Sequence, residues 1–517
     1  MLFLKCFLFL SLLRSVCADE FSDIALEVKE SFRRAYIHYM NSAYPFDELK
    51  PLSNKGQSMF DLPLSTIDSI DTMFIMQHYD LLAEAKTIIK EHLSVPLNKS
   101  ISVFEFNIRI LGSLISIYDL TFDPFYLEKA LQFGELLLRA LHPSSSDFPL
   151  SSFNLKTLKG NYHSWTYGNA VLSELGTLSL EFIALSARSG DPRFQRAVDS
   201  IMKKLAFVRE VEISRKSPSS ELFRRGLFSS FLSKSVHLGS GNLAFSLNGL
   251  SDSYYEYIFK NSILTKGNLN WISLSSLTLT GILDFLLHST ANGTVYLSEN
   301  NADFTNTKME HLACFFPATL IKFVQSFKLD NSFRNFLMKI SLDLTRTCMS
   351  FYDFGYSPDA IEFNSAPDLF KLKRFYSSDW FSSVPSSRPA KIISHKFSPV
   401  AFTSSEWTAV DTKHLLRPEV IESVYFAFCE TNSDDYLKFG VKFWQNISKL
   451  QTSLGGFHCL NDFKSFDNID DWQPSWFLAE TFKYLYLLLT RDLNYCKNFV
   501  FNTEAHPIRP LKTNHFD

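Results

Sequence analysis

Helical periodicity recurs along almost the whole chain, and it limits the possible folds more than any other feature. Phe104, Ile108, Leu111, Ile115 and Tyr118 follow one another at spacings of four, three, four and three, which lines one face of a helix with apolar side chains. Comparable patterns occupy 32–40, 67–79, 125–141, 171–186, 254–264, 312–327, 418–428 and 476–489. Between them, runs of Ser, Asn, Gly and Pro at 143–152, 215–220, 290–306 and 378–388 read as loops too short to separate domains. Strand-like alternation is sparse, and 499–517 has extended character. The pattern predicts one all-α domain. Exact repeats are absent, which argues against an open solenoid. Helical hairpins closed into a ring, or an irregular bundle, would each absorb 517 residues in a single unit.

Hydrophobic residues make up 46% of the chain and Phe alone numbers 51, enough for a large core. A formal net charge of -3 offers no electrostatic basis for binding nucleic acid or an acidic membrane, so a neutral partner is expected. Residues 1–18 carry Lys5, an apolar run at 7–13 and the small-residue pattern Val16-Cys17-Ala18, the layout of a secretory signal. The apolar run is too short to span a bilayer, and no later stretch approaches 18 uninterrupted apolar residues. The expectation is a lumenal or secreted chain over 19–517 without a transmembrane segment. Glycosylation sequons at Asn98, Asn292 and Asn446 agree with that compartment. Once Cys6 and Cys17 leave with the signal, Cys314, Cys348, Cys429, Cys459 and Cys496 remain. An odd number in an oxidising space leaves at least one thiol unpaired, beside one or two disulfides. No CxxC or His-rich spacing suggests zinc.

Acids placed on otherwise apolar helices carry the chemistry. In Leu416-Arg417-Pro418-Glu419-Val420-Ile421-Glu422-Ser423, a proline opens a helix and two carboxylates follow in its first turn. Asp68 and Asp71 stand three apart in 65–73, with Ser65 or Thr66 available as a cap. Glu105 and Arg109 lie one turn apart among Phe104, Phe106 and Ile108, and Asp252 and Glu256 share a face flanked by tyrosines. Glu310-His311 precedes the apolar 312–316, and Glu480 sits inside the core-like 476–485. Each has a bland alternative in a solvated first turn, a helix salt bridge, a Ser251 cap or a core histidine. Six independent burials of charge would be costly, and one shared polar cavity is simpler. With neither a G-x-S-x-G elbow nor a phosphate loop, several acids point to glycoside hydrolysis.

Taken in order, Asp47-Glu48-Leu49-Lys50-Pro51, 66–72, 104–112, 252–257, 311–315, 416–423, 479–484 and Phe501-Asn502-Thr503-Glu504-Ala505-His506-Pro507 resemble glycoside hydrolase family 47, the class I α-1,2-mannosidases, over about 30–510. The resemblance implies an (αα)7 barrel and inverting removal of terminal α-1,2-mannose from high-mannose N-glycans on secretory-pathway glycoproteins. Glu105 would be the general acid, Glu419 the general base and Asp252 a third acid in proton transfer. Arg109, Glu256, His311, Glu422, Trp476, Glu480 and Glu504 would line the sugar subsite. Thr503 would hold Ca²⁺ through its hydroxyl and carbonyl oxygens, with water in the other positions. Cys314 and Cys348 match the disulfide typical of the ER and Golgi branches.

Residues 43–49 look more like the degradation-enhancing branch, which implies ER quality control, a lumenal oxidoreductase as a further partner, and residence in the ER lumen, with the Golgi lumen or secretion as alternatives. The chain departs from the family at Gln473-Pro474, Trp476, Ala318 and Asp359, and carries Leu250 where ER-type enzymes tend to have Arg and Golgi-type enzymes tend to have Leu. A non-hydrolytic, lectin-like glycan-binding factor is the competing reading.

Overall fold

The computed structural model describes residues 20–93, 98–141, 146–233, 244–301, 303–364, 368–369 and 406–512. The expected signal at 1–18, the loop at 378–388 and the residues past 512 fall outside them. The N-terminal α1 (Glu20–Ser42) is an outer helix. Six hairpins follow, each an inner helix then an outer one: α2 (Ile70–Ile75) with α3 (Tyr79–His92), α4 (Gly112–Thr121) with α5 (Pro124–Leu141), α6 (Ser179–Ser189) with α7 (Pro192–Ser214), α8 (Asp252–Leu264) with α9 (Leu269–Gly281), α10 (Phe315–Ser326) with α11 (Asn331–Ser350), and α12 (Glu419–Thr431) with α13 (Asp434–Ile447). The last inner helix, α14 (Phe482–Leu489), takes α1 as its outer partner. Inner helices touch in the cyclic order α2, α4, α6, α8, α10, α12, α14 and back to α2. This is the expected (αα)7 barrel.

Burial separates the two rings. Every residue of α8 from Ser253 to Leu264 is buried, because protein surrounds the helix on all sides. Outer α13 buries Tyr436, Leu437, Gly440, Val441, Phe443, Trp444 and Ile447, the single stripe of an amphipathic surface helix. Local signals set the ends. Asp191 accepts from the Arg193 backbone N–H at 2.9 Å and Pro192 opens α7, while Gly190 at φ +74° closes α6 in the left-handed region. The stretch Leu269–Leu286 is long and apolar enough to cross a membrane by length and composition, yet here it is an outer helix and its π turn, packed on α8.

The local reading is corrected at several points. The continuous helix expected over 67–79 breaks at Ser69, whose hydroxyl donates to Ser65 O at 2.5 Å. Neither Ser65 nor Thr66 caps it: Pro63 holds that position, and the Ser65 hydroxyl donates to Asp47 O at 2.8 Å. The pattern at 171–186 divides into Leu172–Gly176 and α6. Ser251 precedes α8 without capping it, its hydroxyl turned to Ser246 O at 2.8 Å. Pro418 stands one residue before the helix it was expected to open. Short antiparallel strands, among the described residues none longer than the five residues Trp407–Asp411, join the hairpins, including three within 290–306. Most are two or three residues long, too short to carry an alternation in the sequence. A last hairpin, Val500–Phe501 with Pro507–Ile508, packs against α8 and α4 and brings residues 502–506 between the inner helices.

Cys314 pairs with Cys348, joining the start of α10 to the end of α11, and Cys429 pairs with Cys496. Cys459 is a buried free thiol, the odd cysteine. The Cys314–Cys348 bond closes a loop with a sequence separation of 34. Replacing both with Ala is expected to cost about 3 kcal/mol, mostly through the unfolded chain. Denaturant unfolding checks this. No change relative to the parent would mean that packing alone holds α10 to α11.

Candidate active site

Two of the inner helical runs widen into π turns, Asn107–Leu111 and Phe477–Thr481. Such turns insert one residue into the ladder and are frequent at functional sites. They carry Arg109 and Glu480 to the wall of a cavity of about 530 Å³ at the centre of the ring. Glu105, Asp252, Glu419, Trp476, Thr503 and Glu504 line the same cavity. Ser102 holds Glu105 in place by capping the short helix Val103–Phe106, accepting from Glu105 N at 3.3 Å. Beside Asp252, Glu419 and Thr503 stands one non-glycine residue in the left-handed region: Leu250 at φ +74°, Leu416 at +57° and Ala505 at +57°. Each such residue costs roughly 1 kcal/mol and persists only where its surroundings impose it.

Glu256, His311 and Glu422 lie behind the wall. His311 donates from Nδ1 to Glu419 Oε2 at 2.9 Å in the tautomer whose Nε2 accepts from the Tyr352 hydroxyl at 3.2 Å. Glu422 accepts from the Tyr484 hydroxyl at 3.2 Å and lies 3.7 Å from Lys260, which also binds Glu256 and donates to Asn502 O at 3.4 Å. Of the three, His311 holds a lining group directly, while Glu256 and Glu422 meet at Lys260 one layer further back.

Arg109 organises the opposite side. Its Nε donates to Glu105 at 2.8 Å, and its Nη1 donates to Ser475 Oγ at 3.0 Å and binds Glu504. Ser475 passes the network on to Asp68 at 2.5 Å. His506 then bridges Asp68 at 3.2 Å and Asp71 at 2.9 Å, and Lys483 pairs with Asp71 at 2.8 Å. Burial alone would push Asp68 up, but His506 and Arg109 hold it below the usual carboxylate range. The departures at 473–476 fit this frame. Gln473 accepts from Phe457 N at 2.8 Å, Ser475 keeps its contacts, and Trp476 lies within 5.4 Å of the Arg109 guanidinium and 5.6 Å of that of Arg417. Asp359 accepts from Arg417 Nε at 2.6 Å, so the shorter acid still reaches its partner. Ala318 N donates to Ser423 Oγ at 3.0 Å.

Negative charge is in excess. Burial first, and then Glu256, Glu310 and Glu419, push Asp252 up to about 7. Burial raises Glu422 to about 8 against the pull of Lys260, and Glu480 and Glu504 stand well above the usual range for the same reason, reinforced by neighbouring acids. Among the described residues no three His, Cys, Asp or Glu side chains converge as direct metal ligands. Thr503 and the neighbouring Glu480 and Glu504 bring hard oxygens to the cavity, the donor type that a hard cation takes.

Asp252 yields a stability test. Its folded-state pKa lies above the unfolded value, so its contribution is fully present below about pH 4 and is lost as pH rises towards about 7. Asp252→Asn is expected to stabilise the protein at pH 8 by roughly 2–4 kcal/mol, the lower end reflecting the half-open cavity, with no gain at pH 4. Melting curves at the two pH values decide it, and equal shifts would contradict the assignment.

Sequence reasoning missed His163, Trp165 and Glu174 at the cavity mouth and Glu181 behind it. Lys260 and Lys483 were open to detection, since each follows a flagged acid by one turn.

Fold and cavity together define a carboxylate-based glycosidase built on a helical toroid. The pattern of Glycosyl hydrolase family 47 matches residues 31–510. Mannosyl-oligosaccharide 1,2-alpha-mannosidase IA of Sus scrofa is 30% identical over 94% of this chain and 68% of its own length. The endoplasmic reticulum mannosyl-oligosaccharide 1,2-alpha-mannosidase of Homo sapiens is 29% identical over 93% of this chain and 63% of its own. The solved alpha-1,2-mannosidase from Trichoderma reesei superposes with a TM-score of 0.75 at 22% identity, covering 94% of this chain and 98% of that one. The chain belongs to glycosyl hydrolase family 47.

Proposed function

We propose that this chain is a Ca²⁺-dependent, inverting α-1,2-mannosidase that trims terminal mannose from high-mannose N-glycans on glycoproteins, in the ER lumen and in the service of quality control and degradation. The observation that carries the reading is the meeting of Glu105, Asp252 and Glu419, from three distant segments, on one cavity in a chain of this family.

Glu419, oriented by His311, takes a proton from water as that water attacks the anomeric carbon. The glycosidic C–O bond breaks and the departing sugar oxygen receives a proton from Glu105. Asp252, pushed up to about 7, keeps a proton available in the neutral range to replenish it. Arg109, spanning Glu105 and Glu504, fixes the acid. Trp476, which lines the cavity beside Arg109 and Arg417, offers apolar ring surface to the sugar's C–H groups.

The crowd of raised carboxyls around Thr503 fits a hard divalent cation, which would relieve their repulsion. When bound by the Thr503 oxygens and water, Ca²⁺ would orient sugar hydroxyls and polarise water.

Purified protein incubated with a Man9 glycan is expected to release mannose, and a chelator is expected to stop it until calcium is restored. Mapping the product identifies the bond cut. Retention of the glycan without release of mannose would favour the lectin-like alternative and overturn this reading.

A further inference from the structure

Glu181 is fully buried on inner helix α6, and among the described residues no cation pairs with it. A bare buried carboxylate is costly unless its oxygens are satisfied. Three neutral donors converge on it instead: the Tyr257 hydroxyl at 2.6 Å and Asn502 Nδ2 at 2.8 Å on Oε1, and Asn107 Nδ2 at 2.8 Å on Oε2. Two of the three lead directly to the turn that bears Thr503. Tyr257 spends its only hydrogen on Glu181, so its oxygen faces the Thr503 N–H as an acceptor, at 3.3 Å. Asn502 also donates to Ile108 O at 2.9 Å, while its Oδ1 accepts from Glu504 N at 2.9 Å and His506 N at 2.8 Å.

The Asn502 turn by itself would give the loop a shape. Its far end is fixed between the inner helices by Arg109 on Glu504, Lys483 on Ala505 O and His506 on Asp68 and Asp71, and its near end, at Asn502 and the Thr503 N–H, is tied to Glu181. Gly112 at the start of α4 leaves the room this requires, since a Cβ there would meet Asn502 Nδ2 at 2.5 Å. We propose that Glu181 is a positioning residue for the cation site, setting the direction of Thr503 through Tyr257 and Asn502. The inference rests on the reading of Thr503 as the calcium ligand given above. It adds a residue that touches neither the sugar nor the ion.

The test is calcium titration of the full-length protein by calorimetry after chelation, alongside melting curves in chelator. Tyr257→Phe removes the link to Thr503 and leaves Asn502 in place. Glu181→Gln removes the charge and offers Asn107 a donor where it had an acceptor. Each is expected to weaken calcium binding by about 10-fold or more, the usual scale for groups that orient metal ligands. A residue that only supports the fold would lower the melting temperature and leave the dissociation constant of the folded protein unchanged, and that result would overturn the proposal. If either variant fails to fold, Gly112→Ala presses on Asn502 from the other side and is read by the same two outcomes. A parent protein that binds no calcium would overturn the reading of Thr503 and this inference together. A parent that binds it normally beside unaffected variants would overturn this inference alone.

Discussion

Glu419→Gln is expected to lower the turnover of a high-mannose glycan by about 10²-fold or more, the scale of general-base contributions, while glycan binding persists. The amide fills the same space and can still hydrogen-bond, but it cannot take a proton from water. His311 holds the carboxylate at 2.9 Å and is itself held by Tyr352, so the base is fixed from behind before substrate arrives. Glu105→Gln is expected to match it in size and to differ in kind, because protonation of the leaving oxygen is lost there. A substrate with a better leaving group should recover much of the Glu105→Gln deficit and none of the Glu419→Gln deficit. Steady-state kinetics on both substrates checks the pair. Near-normal turnover in either variant would refute the role given to it.

Arg109→Met should be the most damaging single change to stability, at about 3–5 kcal/mol, since it strands charged groups inside the protein. Arg109 is 6% exposed and serves Glu105, Glu504, Asp68 and Ser475 together. Without it, Glu504, already raised by burial and neighbouring acids, moves further up. A carboxyl whose folded-state pKa exceeds its unfolded value contributes most at low pH and loses that contribution as pH rises, so the defect should widen from pH 5 to pH 8. Arg109→Lys keeps the charge without the planar fork and should recover only part of the loss. Melting curves across that range provide the check. A pH-independent deficit would mean that packing, rather than charge, is what Arg109 supplies.

Much of this was legible from the sequence because the relevant signals are local. Apolar residues at helical spacing identify the inner and outer helices one at a time, and Glu105, Asp252, Glu419 and Glu480 stand out as acids where periodicity asks for apolar side chains. Which acids face the cavity was not legible. Glu419 and Glu422 are three apart on one helix, yet only Glu419 lines the wall, because the inner helix rotates its next turn towards α8 and Lys260. Likewise the His506 bridge between Asp68 and Asp71 joins residues more than 430 positions apart, and no pattern in either segment announces the other. The break at Ser69 goes with its hydroxyl's bond back to Ser65 O while the Ser65 hydroxyl reaches distant Asp47 O, and between Leu172–Gly176 and α6 the Thr177 hydroxyl turns to distant Ser253 Oγ; such bonds override helix propensity. The π turns escaped for a similar reason, since one inserted residue leaves the apolar spacing nearly intact.

The pairing of α1 with α14 has a consequence for how the molecule is made. Helix α1 has to wait for α14, far later in the sequence, before its apolar face is covered, and the turn bearing Thr503 comes later still. Contacts this far apart in sequence form slowly and leave surface uncovered meanwhile. Without α14 and the turn bearing Thr503, the described helices would leave six hairpins, an open seam and an incomplete chamber, so closure of the ring and activity should be gained or lost together.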